Sequence, residues 1–266
     1  MNEIIIYDLE YTTWHGAIER NWSKENEIRE ITWIAAILVD VNTLKEIDSL
    51  DCIIKPTMNP VLSEYFIDLT GLTQQKVDKK GISFFEGVRE FQRFVNSRPI
   101  VCHGADTVVF LENFQLKNLK FRARRIDDDV PIVLNLNKGN RRQDDEPIHP
   151  QSLMLNAYGS DMKMVEENTC RVVCEVDLKH PGQFISPSIF TSFNIKPWFN
   201  RNAPETIGKY AGELATVFGK FTTDGNIHEP LFDVRSILHG AKYLINNCGA
   251  ENILKGFLSK DNLTVH

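Results

Sequence analysis

A chain of 266 residues with 42% hydrophobic and 25% charged residues has ordinary globular composition, long enough for one large domain. Its formal net charge of −6 excludes non-specific wrapping of nucleic acid by a basic face, but not a site where bound cations supply the positive charge. No apolar run reaches the length of a membrane span, and the N-terminal Met-Asn-Glu-Ile has no basic segment before its apolar run, so no signal peptide and no membrane association are expected. Five cysteines without a C-x-x-C pair read as reduced thiols of a cytoplasmic protein.

The first element is a strand, Glu3 to Glu10, whose three consecutive isoleucines suit burial on both faces. Asp8 and Glu10 stand at its far end, two residues apart and therefore on one face, roughly 7 Å from each other along the strand. Buried like charges repel, and each is costly to desolvate without a compensating cation. A hard divalent metal, which prefers carboxylate oxygens, resolves both problems. For a D-x-E pair standing alone, a strand that runs out into solvent at Asp8 is the plainer reading.

The polar stretch Tyr11 to Glu27 reads as a loop. Glu30–Asp40 and Leu50–Lys55 read as second and third strands, and the short turns between them predict an antiparallel meander. Ser63 caps a short helix that Gly71 ends, Thr73 caps the next, and Ser83 caps an amphipathic helix carrying Phe84, Val88, Phe91, Phe94 and Val95. Pro99–His103 is a short buried strand, and a strand after a helix indicates mixed α/β layers. Gly104-Ala105-Asp106 then turns the chain into an apolar helix, Val108 to Phe114. Asp106 is either its N-cap or a carboxylate held ionised by the helix dipole, as a metal ligand needs to be.

Between residues 118 and 204 the pattern is irregular. Arg122, Arg124, Arg125, Lys138, Arg141 and Arg142 alternate with Asp127–Asp129 and Asp144–Glu146, and solvated loop faces are the plain reading. Lys163–Glu166 and Arg171–Val176 look like a hairpin, with Cys170 and Cys174 on one strand face. Residues 157–203 read as an insertion within a single domain spanning 1–255. A helix from Ala203 to about Gly219 carries Ile207, Tyr210, Ala211, Leu214 and Val217. Pro230 suits the first position of the last long helix, whose stripe is Val234, Ile237, Leu238, Ala241, Leu244 and Ile245. His228 lies in the loop before that helix and Asp233 on its first turns.

Four carboxylates and a histidine thus recur at element ends: Asp8, Glu10, Asp106, His228 and Asp233. In this order they resemble the DEDDh 3′→5′ exonucleases of the RNase H-like superfamily. Tyr7-Asp8-Leu9-Glu10 matches the first motif, and His228 with Asp233 matches the third, H-x4-D. The second, Cys102-His103-Gly104-Ala105-Asp106, lacks the Asn that many members carry and looks like the shorter glycine–aspartate motif of the KapD-like and Eri-type exoribonucleases. The stretch Lys55–Phe66, continued through Leu69–Gln74 to Phe84, is similar to that subgroup along its whole length.

The resemblance implies an α/β fold: an RNase H-like mixed sheet flanked by helices, with a large insertion before the last helices. It implies that Asp8, Glu10, Asp106 and Asp233 hold two Mg²⁺ or Mn²⁺ ions and that His228 deprotonates the attacking water. It also implies that Leu9, Thr12 and Leu72 contact the terminal nucleotide of a single-stranded or short nucleic acid, RNA being favoured. A dinucleotide phosphodiesterase is the alternative within enzymes, and a catalytically idle nucleic-acid-binding module the alternative outside them.

Overall fold

The computed structural model describes residues 2–20, 22–117, 120–125, 130–131, 171–177 and 188–261. The isoleucine run settles into β1 (Glu3–Tyr11), where Ile4, Ile5 and Ile6 are fully buried. Side chains alternate across a strand, so Ile5 and Tyr7 pack into one layer with Phe91 and Phe110. Ile4 and Ile6 pack into the opposite layer with Phe193 and Ile237.

Among the described residues the sheet has eight strands, in the order β3-β2-β1-β4-β8-β7-β5-β6. β1, β2 (Ile31–Asp40) and β3 (Lys45–Ile53) form the antiparallel meander expected from the sequence. β3 begins earlier than its apolar pattern suggests because its first half faces solvent. β4 (Ile100–Cys102) runs parallel to β1, and β8 (Ser188–Asn194) parallel to β4. β7 (Arg171–Asp177), β5 (Lys120–Arg125) and β6 (Val130–Pro131) extend that edge with alternating direction.

Helices α1 (Glu64–Thr70), α2 (Gln74–Lys80) and α3 (Phe84–Val95) start at Ser63, Thr73 and Ser83, each of which accepts a backbone N–H as expected of a cap. The loop before α1 is tied to β2 by buried Glu30, which accepts the N–H groups of Thr57 and Met58 at 2.8 Å each and pairs with Lys117. α4 spans Asp106–Leu116. After β8 come α5 (Lys196–Asn202), α6 (Leu214–Phe218), α7 (Pro230–Asn247) and α8 (Ile253–Asp261). Pro230 takes the first position of α7, and Val234, Ile237, Leu238, Ala241 and Leu244 form its buried stripe. Helices therefore cover both faces of a mixed sheet, as the sequence indicates. No helix among the described residues is long and apolar enough to cross a membrane.

Three expectations are corrected. Residues 188–203 do not belong to an insertion: β8 is an interior strand, and Phe193, Ile195, Trp198, Phe199 and Ala203 are core residues. Ser188–Asn194 is a strand and Pro197 stands in the first turn of α5, where the sequence suggested irregular chain. Residues 157–170 and 178–187 lie outside the described set, as do Lys138, Arg141 and Arg142. Second, Arg171–Asp177 pairs with β5 and β8, so Arg122, Arg124 and Arg125 lie on a strand and not in loops. The other arm of the supposed hairpin, residues 163–166, is outside the described residues, as is Cys170. Third, the helix expected over 203–219 is broken. A single 3₁₀ turn, Pro204–Thr206, is followed by turns and then by α6. Gly208 has φ +80°, which ends any helix there, and Ile207 and Tyr210 face outward.

Phe193 is 1% exposed and stacks on Phe257 of α8 with ring centroids 4.4 Å apart. Phe193→Ala is expected to destabilise the protein by about 3–5 kcal/mol in denaturant unfolding. A loss below about 1 kcal/mol would mean that β8 is peripheral.

Candidate active site

The site is built where β1 runs out of sheet. Its pairing with β2 slips between Glu10 and Tyr11, a local irregularity of the kind that re-aims side chains at sites. Asp8 and Glu10 share the face of Ile4 and Ile6, toward α7. On the opposite face the Tyr7 hydroxyl lies 3.0 Å from Thr107 Oγ1 and 3.3 Å from Ser192 Oγ, and those two are 2.7 Å apart. This buried hydroxyl trio fastens β1 to the start of α4 and to β8.

Gly104, at φ +124°, allows the turn from β4 into α4. Its N–H donates to Asn194 Oδ1 at 3.1 Å, so the end of β8 holds the turn. Asp106 is the first residue of α4. The cap position belongs to Ala105, which makes no side-chain cap bond, so Asp106 is not serving as an N-cap. Its carboxylate sits at the positive end of the helix.

From the other side, Pro230 starts α7 and places Asp233 on the first turn, 2% exposed. His228 precedes the helix with φ +69°, and its backbone N–H donates to both carboxylate oxygens of Asp233 at 3.2 and 3.3 Å. Its Nδ1 stands 3.6 Å from Glu10 Oε1, an ion-pair distance too long for a strong hydrogen bond. Tyr210 meets the imidazole edge-on, with centroids 5.2 Å apart.

Asp8, Glu10, Asp106, His228 and Asp233 line one cleft of about 640 Å³. All four carboxylates are buried. Burial, then the charges of Asp106, Asp233 and Glu10, push the Asp8 pKa well above the carboxylate range. Burial and Glu10 do the same to Asp233, against the pull of His228. Burial and Glu10 raise Asp106 to about 7, although the N–H groups of Asp106 itself and Leu9 and the charge of Lys196 oppose them. Burial raises Glu10, and His228 pulls it back. At His228, burial disfavours the cation, but Glu10, Asp233 and Glu213 outweigh it and raise the pKa.

A cluster of buried carboxylates with raised pKa values has the donor chemistry of a hard-cation site. Ligand atoms of Glu10, His228 and Asp233 lie within 4.8 Å of one another. The residues present fit divalent cations.

Leu9 lines the cleft. Thr12 and Leu72 do not. Thr12 Oγ1 is buried, donates to the Ile28 carbonyl and accepts the Glu30 N–H at 2.9 Å, so it anchors the loop base. Leu72 is fully buried in a cluster with Trp33, Phe66 and Val77, because the chain turns inward after Gly71, and Leu69 reaches the cleft in its place. The sequence reading missed His103, Lys196 and Tyr210 as cleft residues. Only His103, inside a named motif, carried any signal. Arg29 also lines the cleft and pairs with buried Glu112.

Residues 5–142 match the family model described as exonuclease, of the RNase T type. The chain belongs to this exonuclease family. Over 110 residues, 41% of the chain, it is 38% identical to the 3′-5′ exonuclease eri1 of Schizosaccharomyces pombe, and the match spans only 35% of that protein. The fold is similar to a crystal structure of a full-length 3′-exonuclease, at 17% identity and TM-score 0.56, covering 93% of this chain and 83% of the other. It is also similar to the nuclease domain of 3′hExo, a DEDDh family member bound to rAMP, at 17% identity and TM-score 0.53, covering 93% and 94% of the two chains. The fold is the RNase H-like one. The family match ends before His228 and Asp233, which the fold brings to the same cleft.

Two outcomes are expected. A carboxyl whose folded pKa exceeds its unfolded value stabilises fully below the unfolded pKa and loses that contribution as pH rises through the folded one, here about 7 for Asp106. Asp106→Asn should therefore melt higher than wild type in EDTA just above neutral pH, and the gap should close in mildly acidic buffer. A gap that does not change with pH contradicts the charge cluster. Separately, a Cβ at Gly212 would lie 2.3 Å from Asp233 Oδ1 and 3.0 Å from Ile227 Cα. Gly212→Ala should displace Asp233 and cut the Mn²⁺-induced rise in melting temperature. An undiminished rise would show that Asp233 is not a ligand.

Proposed function

We propose that the protein is a metal-dependent 3′→5′ exonuclease that hydrolyses phosphodiester bonds of single-stranded or short nucleic acid, RNA being favoured. The observation that carries this reading is the convergence of Asp8, Glu10, Asp106, Asp233 and His228 in one cleft. Exonucleases of this type use divalent cations. Asp8, Glu10, Asp106 and Asp233 are assigned to hold two, Mg²⁺ or Mn²⁺. When bound, they neutralise the carboxylates, orient the scissile phosphate and favour ionisation of water.

The chain's own residues then have separable tasks. His228 takes the proton of the attacking water, a role its half-buried place at the cleft beside Glu10 suits. Asp233 holds the His228 backbone and so sets where the imidazole stands. Asn194 and the Tyr7–Thr107–Ser192 trio fix the spacing between Asp8 and Asp106. Leu9 and Leu69 offer apolar wall to the terminal nucleoside.

RNA preference is supported by two structural neighbours: one is described as recognising the 3′ end of a histone mRNA stem-loop, and another as bound to rAMP. Cys52 and Cys102 are free buried thiols, which fits a reducing, cytoplasmic setting.

Matched single-stranded RNA and DNA with free or blocked 3′ ends test the assignment. Stepwise release of mononucleotides from free 3′ ends, only with Mg²⁺ or Mn²⁺, is expected. His228→Ala should lower kcat by roughly 10²–10⁴-fold while metal still raises the melting temperature. Cleavage of blocked ends at the same rate, or full activity in His228→Ala, would sink the reading.

A further inference from the structure

Part of the cleft lining comes from the end of β1, the loop after it and α1: Leu9, Thr13, Ile18, Trp22 and Leu69. All but Thr13 are apolar. The backbone of Thr13 is fixed to the start of α1, the helix that carries Leu69. Ser63 Oγ donates to the Thr13 carbonyl at 2.5 Å and accepts the Phe66 N–H at 3.0 Å.

The Thr13 side chain has no such tie. Thr13 is 6% exposed, and its Oγ1 has no hydrogen-bond partner among the described residues. Nearby threonines spend their hydroxyls on the backbone. Thr12 Oγ1 bonds the Ile28 carbonyl and the Glu30 N–H, and Thr70 Oγ1 donates to the Phe66 carbonyl at 2.9 Å. A hydroxyl buried without a partner gives up its hydrogen bonds to water and regains none. Folding alone would therefore favour valine, which has the same shape, at position 13. A fixed, unspent polar group in a mostly apolar lining is the kind of group that selects a ligand.

The polarity of the reaction says what that group meets. A nucleotide released from a 3′ end carries the scissile phosphate on its 5′ carbon. Its sugar therefore lies next to the carboxylates, and its base lies beyond. Along the chain, Thr13 comes between Glu10 and the apolar Ile18 and Trp22. Apolar side chains hold a base by its face, which every base offers. A sugar hydroxyl needs a polar partner, and a threonine hydroxyl, able to donate and to accept, matches it.

We propose that the Thr13 hydroxyl pairs with the 2′-hydroxyl of the 3′-terminal ribose and is the residue by which the cleft tells RNA from DNA. This rests on the exonuclease reading and names the group that gives it a sugar preference.

The test uses single-stranded RNA oligonucleotides that differ only in the 3′-terminal nucleotide, which is ribo, 2′-deoxy or 3′-deoxy, and follows release of that nucleotide with Mn²⁺. Wild type should favour the ribo end over the 2′-deoxy end in kcat/KM by about tenfold, the worth of one hydrogen bond. Thr13→Val should bring that ratio near one by slowing release from the ribo end, and Thr13→Ser should keep most of it. Thr13→Val should also melt no lower than wild type, because no satisfied hydrogen bond is lost. A wild-type ratio near one overturns the contact, as does a ratio that Thr13→Val leaves unchanged. Equal loss at both ends in Thr13→Val, a lower melting temperature or a failure to fold overturns it too, because the hydroxyl then serves the fold. If Thr13→Val removes discrimination against the 3′-deoxy end instead, the hydroxyl meets the 3′-oxygen and the proposal is wrong. If wild type releases nothing from any end, the exonuclease reading fails, and equilibrium binding of rAMP and its 2′-deoxy counterpart with Mn²⁺ still decides the contact. Tighter rAMP in wild type, lost in Thr13→Val, upholds it; equal binding removes it.

Discussion

Four buried carboxylates share one cleft, and the rest of the structure answers to that repulsion. Asp8, Glu10, Asp106 and Asp233 are each buried, and each has its pKa raised, with burial as the largest cause. No arrangement of the fold requires them to meet. Their common site is costly to the metal-free protein and becomes favourable only when positive charge enters it.

Holding like charges together needs a stiff frame, and the sheet supplies it. β1 is central and buried on both faces, so Asp8 and Glu10 cannot move apart by bending the strand. The hydroxyl trio at Tyr7 ties that strand to α4, and Asn194 ties the α4 turn to β8. Asp233 is held in turn by the His228 N–H and by close packing over Gly212.

The sheet's first half and the meeting of Asp8, Glu10, Asp106, His228 and Asp233 in one cleft were legible because local signals were strong and agreed. Ile4–Ile6 is unmistakable as a buried strand, Ser63, Thr73 and Ser83 cap as their chemistry dictates, and Pro230 marks the start of α7. β8 was not legible. Ser188–Asn194 mixes hydroxyls with apolar residues because Ser192 joins a buried polar trio and Asn194 clamps a turn, so an interior strand reads as irregular chain. The helix expected over 203–219 failed for the opposite reason. Its apolar spacing was real, but Gly208 and the close approach of Gly212 to Asp233 break it. Leu72 shows the limit of carrying a contact over by resemblance: one turn of packing hides it and exposes Leu69 to the cleft.

The charge balance of the cleft is tested most directly by calorimetric titration of the metal-free protein with Mn²⁺ just below neutral pH, in buffers of different ionisation enthalpy. Raised carboxyl pKa values mean that the empty folded site holds protons that a cation must displace. Binding with release of protons to the buffer is expected. Binding without proton release, or no binding, would contradict a single carboxylate cluster built to receive divalent cations.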